Sequence, residues 1–192
     1  MDPATNIGSP AQQEAHATRS RLVLDREERL VKDGILRMGS LVEAQIRGGV
    51  ASLVSRDLGR AASIVSGDAA VNDAQREVTD TIATTIATQA PVARDLRFLL
   101  ALNHVAFELE RIGDHASSIA KQTRWLVGTP TPQVGPAIES MGNIAADLVA
   151  GILRALIDVD DRLAREVAAR DDEIDHGYRR MFAEVKIGRA HV

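Results

Sequence analysis

The chain has 192 residues, of which 45% are apolar and 3% aromatic, and its formal net charge is −4. It contains no cysteine, which excludes disulfides and thiolate metal ligands. The acidic balance argues against a nucleic-acid partner. Because the sequence has neither an unbroken run of about 18 apolar residues nor a basic-then-apolar leader, we expect a cytoplasmic protein with no transmembrane segment.

Residues 1–20 are predicted to form a flexible arm, since Pro3, Gly8 and Pro10 interrupt a segment with few apolar side chains. Apolar residues then recur at helical spacing over about residues 24–55. This periodicity predicts a first helix that buries one face.

A second helix is predicted to start after Asp57, a typical N-cap residue, and to end near Thr88. Pro91 has no backbone N–H to donate, so it fits the first turn of a third helix that ends near Leu126. These three helices form a first predicted unit over residues 21–127.

Residues 128–136 contain three prolines and two glycines, and they form the predicted linker. A fourth helix is expected to end near Asp158, and a fifth to run from about Asp160 to Lys186. Together these two helices form a second predicted unit over residues 137–186.

The two units are related by an internal repeat. A shift of 103 residues places Met38-Gly39 on Met141-Gly142, Val50 on Leu153, and Asp57 on Asp160. Apolar spacing is common to all amphipathic helices, but the Met-Gly pair and the aspartate are more specific. The sequence therefore predicts an all-α fold of two pseudo-repeated, antiparallel three-helix bundles.

The second bundle is expected to lack its last helix. Under the same shift, Ala83 corresponds to Lys186, and the counterpart of the third helix should follow. We expect a chain truncated at its C-terminus, with residues 187–192 forming a non-native tail.

Two carboxylates on the third helix have the spacing of metal ligands. Glu110 and Asp114 are four residues apart, so they are neighbours on the helix surface beside the stripe that contains Leu109. Their mutual repulsion would be relieved by a bound cation or a basic partner. The alternative is a pair of solvated carboxylates, because this spacing is common by chance.

Asp68 lies on the apolar face of the second helix, and Asp171 repeats it in the second unit. A buried carboxylate needs a partner. Asp68 could face the groove that Glu110 and Asp114 border, where clustered oxygen ligands would suit a metal ion. The alternative is a hydrogen bond or an ion pair with an arginine of the third helix.

Arg94 and Arg97 lie on either side of Asp95 at the start of the third helix. This arrangement is typical of a surface salt-bridge cluster, and it also fits a contact to phosphate or to an acidic partner. The sequence shows no Ser-His-Asp set, no phosphate-binding loop and no paired acid-base carboxylates, so we expect no enzymatic activity.

Two segments resemble one known family. They are IATQAPVARDLR over residues 86–97 and ELERIGDHA over residues 108–116. With Gly67-Asp68 and Val71-Asn72, they resemble the PhoU family of phosphate-signalling regulators, and the likeness covers about residues 24–186. Ala90 departs from the family pattern, which usually has a second Gln there.

The resemblance implies a cytoplasmic, often dimeric regulator that couples the phosphate ABC transporter to a sensor histidine kinase. It would contact the transporter's ATPase subunit, associate with the membrane only through partners, and act negatively when phosphate is plentiful. It also implies bound iron, zinc, manganese or magnesium. By this resemblance Glu110, Asp114 and Asp68 are ligands of one metal cluster, and Asp171 and Asp175 would serve another if the missing helix were present.

The surface that contacts the partners is not fixed by the resemblance, and Arg94 and Arg97 are its candidate residues. Two other functions stay open. One is a di-metal carboxylate enzyme, although such bundles use Glu-x-x-His pairs on two helices and this chain has none. The other is a metal-free helical scaffold.

Overall fold

The computed structural model describes residues 10–128 and 135–190, and within these ranges it contains helices and no strand. The helices are α1 (Pro10–Ser55), α2 (Leu58–Gln89), α3 (Ala93–Leu126), α4 (Gly135–Asp158), α5 (Asp161–Ala169) and α6 (Asp171–Ala190). The all-α prediction is confirmed. Predictions for residues 1–9, 129–134 and 191–192 lie outside the described residues.

Helix α1 begins at Pro10, earlier than predicted, so residues 10–20 of the predicted arm are helical. Proline is pre-organised for the first turn of a helix, and the residues that follow, such as Ala11, Gln12 and Glu14, have high helix propensity. The helix propensity of these residues therefore extends α1 beyond the part that packs against other helices. At the other end, residues 187–190 continue α6.

The predicted fifth helix is also wrong in one respect, because it is two helices that meet at Arg170. The Arg170 N–H donates to the Val167 carbonyl at 3.0 Å, and the Glu173 N–H donates to the Arg170 carbonyl at 3.0 Å. These bonds span three residues and tighten the chain into a turn. Acidic residues in the first turn of α6 favour a new helix N-terminus there.

The first bundle packs α1, α2 and α3 around one core. Helix α2 is antiparallel to α1, because Gly34 lies against Val78 while Gly48 lies against Ile64. Helix α3 then returns parallel to α1 and antiparallel to α2. The fully buried side chains at the centre of this core include Val31, Ile35, Met38, Val42, Val71, Leu99 and Leu102.

Helix α4 joins the second unit to the first through reciprocal contacts with α1. Gly39 lies against Leu153, and Gly142 lies against Val50. Under the 103-residue shift Gly39 corresponds to Gly142, and Val50 to Leu153. The α1–α4 interface therefore has pseudo-two-fold symmetry, the arrangement expected when two copies of one unit pair through the same surface.

The turns that follow α1 and α4 repeat the same backbone geometry. Arg56 and Val159 have positive φ angles of 57° and 55°. Asp57 and Asp160 then cap the next helices, and each side chain accepts a 2.9 Å hydrogen bond from the N–H three residues later. The predicted Asp57 cap is confirmed, and the repeat extends to individual hydrogen bonds.

Helix α4 is long and apolar enough to cross a membrane by length and composition, with a hydropathy of 1.4 over its most apolar window. The sequence criterion of an unbroken apolar run did not detect this. In the structure α4 packs along α1 and buries Gly142, Ala146, Val149 and Leu153. Of that apolar window, 28% is buried within the structure.

Replacing Gly142 by Ala should destabilise the fold by about 1–2 kcal/mol, although Ala normally favours a helix. The new Cβ would lie 2.7–3.0 Å from three atoms of the stiff Val50 side chain. The matched change Gly39→Ala should cost less, since it meets mainly the flexible end of Leu153. Urea unfolding would compare the two, and a G142A protein as stable as wild type would contradict the reciprocal packing.

Candidate functional site

The predicted ligands of the first unit border a single groove between α2 and α3. A Cβ on Gly113 would lie 3.1 Å from Val71, which fixes the register of this antiparallel pair. In that register Asp68 is level with residues 114–117 of α3. Helical geometry places Asp68 on the edge of α2 away from α1, and Glu110 on the edge of α3 that faces α2.

These carboxylates have no cationic partner within the described chain. Asp68 and Glu110 are half-buried and Asp114 is exposed. None forms an ion pair there, and the nearby Arg111 instead pairs with Glu108 at 3.0 Å. The alternative in which an arginine of α3 neutralises Asp68 is not found.

Two further oxygen atoms lie on the same edge of α3 as Glu110. Asn103 Oδ1 and Ser117 Oγ are buried and lack a hydrogen-bond partner. Asn103, Glu110 and Ser117 are seven residues apart, so they follow one face over roughly 10 Å on each side of Glu110. Oxygen atoms are the ligand type that hard cations prefer, but the roughly 10 Å steps between these three keep them from binding one ion together.

The groove contains oxygen donors, but they do not converge on one metal site. Among the side chains that the structure describes, no three of His, Asp or Glu come close enough together to hold a metal ion. Asp68, Glu110 and Asp114 therefore follow the groove as separate groups. Their role as ligands stays a prediction.

The second unit does not reproduce this arrangement. Asp171, the counterpart of Asp68, is exposed at the first position of α6, whereas Asp68 lies ten residues after the start of α2. Asp175 is exposed and pairs with Arg179 at 3.3 Å. The helix break at Arg170 is the reason that the equivalence fails locally, and a second metal cluster stays a prediction.

The structure also contains a second polar region, which the sequence predicted only in part. A cavity of about 390 Å³ lies where α1, the start of α3 and the α4–α5 turn meet. Its cationic side chains are Arg21, Lys32, Arg94 and Arg97, and we call it the basic pocket. The sequence drew attention to Arg94 and Arg97, but the α1 residues are distant in the chain and follow no motif.

Ion pairs order one wall of the basic pocket. The Arg21 guanidinium donates to Asp95 at 2.5 Å and also contacts Asp25 at 2.8 Å. The Lys32 ammonium lies 5.0 Å from the centre of the Phe98 ring. Within the described residues Arg94 and Arg97 form no ion pair, so their charges face the pocket uncompensated. The predicted salt-bridge cluster around Asp95 therefore uses Arg21 instead.

Glu28 is the second carboxylate of the basic pocket. Burial raises the pKa of the Glu28 carboxyl, and the nearby charge of Asp95 raises this pKa further. Glu28 Oε1 is buried without a hydrogen-bond partner. The pocket thus combines free cationic groups with a carboxylate oxygen that lacks a donor.

A family model described as the PhoU domain matches residues 35–123 and 138–191. The chain is 35% identical to a phosphate-specific transport system accessory protein PhoU homolog from Clostridium acetobutylicum, over 88% of this chain and 76% of that protein. A PhoU homolog from Rhizobium meliloti is 30% identical, over 84% of this chain and 68% of that protein.

Two solved structures share the fold. The crystal structure of PhoU from Pseudomonas aeruginosa superposes with a TM-score of 0.80 at 28% identity, covering 87% of this chain and 80% of that one. The phosphate transport system regulatory protein PhoU from Streptococcus pneumoniae gives a TM-score of 0.77 at 28% identity, covering 86% and 77%.

Replacing Glu28 by Gln should raise the melting temperature at pH 7.5 by up to about 3 °C. Because the folded-state pKa of Glu28 is raised, stability falls as the pH rises through that pKa, and the cost persists above it. Below about pH 4 both side chains are neutral, so the difference should vanish. Calorimetry at both pH values would test this, with the exposed Glu139→Gln as control; a lower melting temperature for E28Q at pH 7.5 would contradict it.

Proposed function

This chain belongs to the PhoU family, and we propose that it is a metal-binding cytoplasmic adaptor that negatively regulates phosphate uptake and starvation signalling. Relatives named phosphate-specific transport system accessory proteins support the broader role in regulating phosphate transport. The adaptor would contact the ATPase subunit of the phosphate ABC transporter and the sensor histidine kinase. Relatives named as accessory or regulatory proteins favour a non-catalytic role.

The observation that carries the proposal is the solvent-facing side of α3. Leu100 and Phe107 are 51% and 47% exposed there, and Asp114 continues the same seven-residue spacing. We call these three residues the α3 outer face. Large apolar side chains exposed in a row on a rigid helix are typical of a protein-docking surface.

The predicted metal ligands adjoin this docking surface. Asp114 belongs to the α3 outer face, and Glu110 and Asp68 line the groove beside it. A bound metal ion would offset the repulsion among these carboxylates. These residues would then hold α2 and α3 in one fixed arrangement, so that the face is presented to a partner with less conformational freedom to lose.

Regulation then follows from differential binding. A kinase that exists in active and inactive forms shifts toward the form that the α3 outer face binds more tightly. The same principle applies to the transporter's ATPase subunit. The predicted homodimer would present two such faces, and it stays a prediction for this single chain.

The double substitution Glu110→Ala and Asp114→Ala should lower the bound metal at least about tenfold, because it removes two carboxylate ligands. Elemental analysis of purified protein after dialysis would measure it for iron, zinc, manganese and magnesium. Glu108→Ala is the matched control, since Glu108 lies on the same helix but pairs with Arg111. Equal metal content in all three proteins would reject the assignment.

Substituting Leu100 and Phe107 by Ser should reduce capture of the ATPase subunit and of the kinase by about tenfold, since both side chains contribute apolar contact area. Pull-downs with the full chain, with and without chelator, would measure this. Leu58→Ser is the control, because Leu58 is 49% exposed at the start of α2. Capture unaffected by L100S/F107S would place docking elsewhere, and capture of neither partner by wild type would reject the adaptor role.

A further inference from the structure

The basic pocket has an excess of positive charge. It contains four cationic side chains against two carboxylates, Glu28 and Asp95. Arg21 forms ion pairs with Asp95 and Asp25, and Lys32 lies over the Phe98 ring. The exposed Arg94 and Arg97 remain, and neither has an anionic partner within the described residues. The charge balance of the cavity therefore favours an anion.

The shape of the pocket limits the size of that anion. The cavity of about 390 Å³ is closed on its apolar side by Phe98 and by Val159 of the α4–α5 turn. Three separate elements thus surround one space rather than one flat surface. Two guanidinium groups three residues apart on one helix turn can both reach a compact oxyanion.

Glu28 restricts the chemical identity of the anion further than the net charge of the pocket does. Glu28 lines the cavity, and its carboxylate receives no hydrogen bond from the described residues. Because Oε1 itself is closed to solvent, a ligand in the cavity would donate to the other carboxylate oxygen. A fully deprotonated anion such as sulfate or chloride offers no donor and would be repelled by the carboxylate. Inorganic phosphate keeps at least one proton at neutral pH, and its P–OH group can donate to Glu28.

We propose that the basic pocket binds free inorganic phosphate, with Arg94 and Arg97 contacting its oxygens and Glu28 accepting a hydrogen bond from its P–OH group. The carboxylate would select phosphate over sulfate, while the arginines supply the affinity through charge-assisted hydrogen bonds. The chain would then respond directly to the ion whose transport its family regulates.

This site is separate from the predicted metal groove. Arg94 and Glu110 are 16 residues apart on α3, which corresponds to roughly 24 Å along the helix. Phosphate binding in the pocket therefore needs no metal ion, and it does not rest on the adaptor proposal. Metal-free protein isolates the pocket from any phosphate that a metal ion would attract.

Calorimetric titration tests the proposal. The chelator-treated chain is titrated with inorganic phosphate and, separately, with sulfate at equal ionic strength. We expect wild type to bind phosphate and to bind sulfate at least about tenfold more weakly. The double variant Arg94→Ala/Arg97→Ala should bind phosphate at least about tenfold more weakly. Arg180→Ala, an exposed arginine on α6, should bind as wild type does.

Glu28→Gln provides the specificity readout. The amide is neutral and can donate a hydrogen bond to an anion, so this variant should bind sulfate and phosphate with similar affinity. Circular dichroism and melting temperature would establish that each variant folds, and both arginines are exposed, so their loss leaves the core intact.

Several results would overturn the proposal. One is that the metal-free chain binds no phosphate, or binds it only after metal is restored. Another is that wild type binds phosphate and sulfate equally. A third is that R180A loses as much phosphate affinity as the Arg94/Arg97 double variant. Capture of an acidic peptide in the pocket without displacement by phosphate would also overturn it. Phosphate binding together with failure of both pull-downs would reject the adaptor role alone.

Discussion

The close approach of α1 and α4 is the constraint on which the arrangement of this molecule depends. Gly39 and Gly142 carry no side chain at the points where Leu153 and Val50 press against the opposite helix. Since α1 also packs against α2 and α3, it is the element that both units share. The same contact brings the α4–α5 turn, with Val159, to the start of α3, where it completes the basic pocket.

Helix α3 separates two kinds of chemistry along its length. Its N-terminal end carries arginines that close the basic pocket, whereas its middle carries carboxylates and unpaired oxygens that border the groove with α2. Opposite charge preferences on one helix stay distinct because roughly 24 Å separates them, more than twice the screening distance at physiological salt. A rigid, well-packed helix is also a suitable element to connect an anion site with a docking surface.

The family relationship and the structure support each other at different levels. Identities of 30–35% to PhoU homologs and a TM-score of 0.80 to PhoU from Pseudomonas aeruginosa establish the fold and the connection with phosphate transport. The proposals about a metal site and an anion site depend on the contacts of individual side chains. Glu110 and Asp114, unpaired on one helix, suggest the metal proposal, and the Glu28 carboxylate, which no described donor contacts, suggests a protonated anion.

The sequence by itself determined the helical class, the repeat and the local caps. Helical periodicity, the Met-Gly repeat and the capping aspartates act over a few residues, so they can be recognised in order along the chain. It predicted Glu110 and Asp114 as neighbours for the same reason. It missed the break at Arg170, because apolar spacing continues across that turn and only the i,i+3 hydrogen bonds distinguish it.

Only the tertiary structure decided which distant groups meet. Arg21 pairs with Asp95, and one Glu28 oxygen is removed from solvent, because α1 and α3 pack in one parallel register. The α1–α4 interface likewise follows from the shapes of glycine and aliphatic side chains far apart in the chain. Local patterns specify each helix and its buried face, but the register between helices is set by close packing of all side chains together, and that register creates the sites.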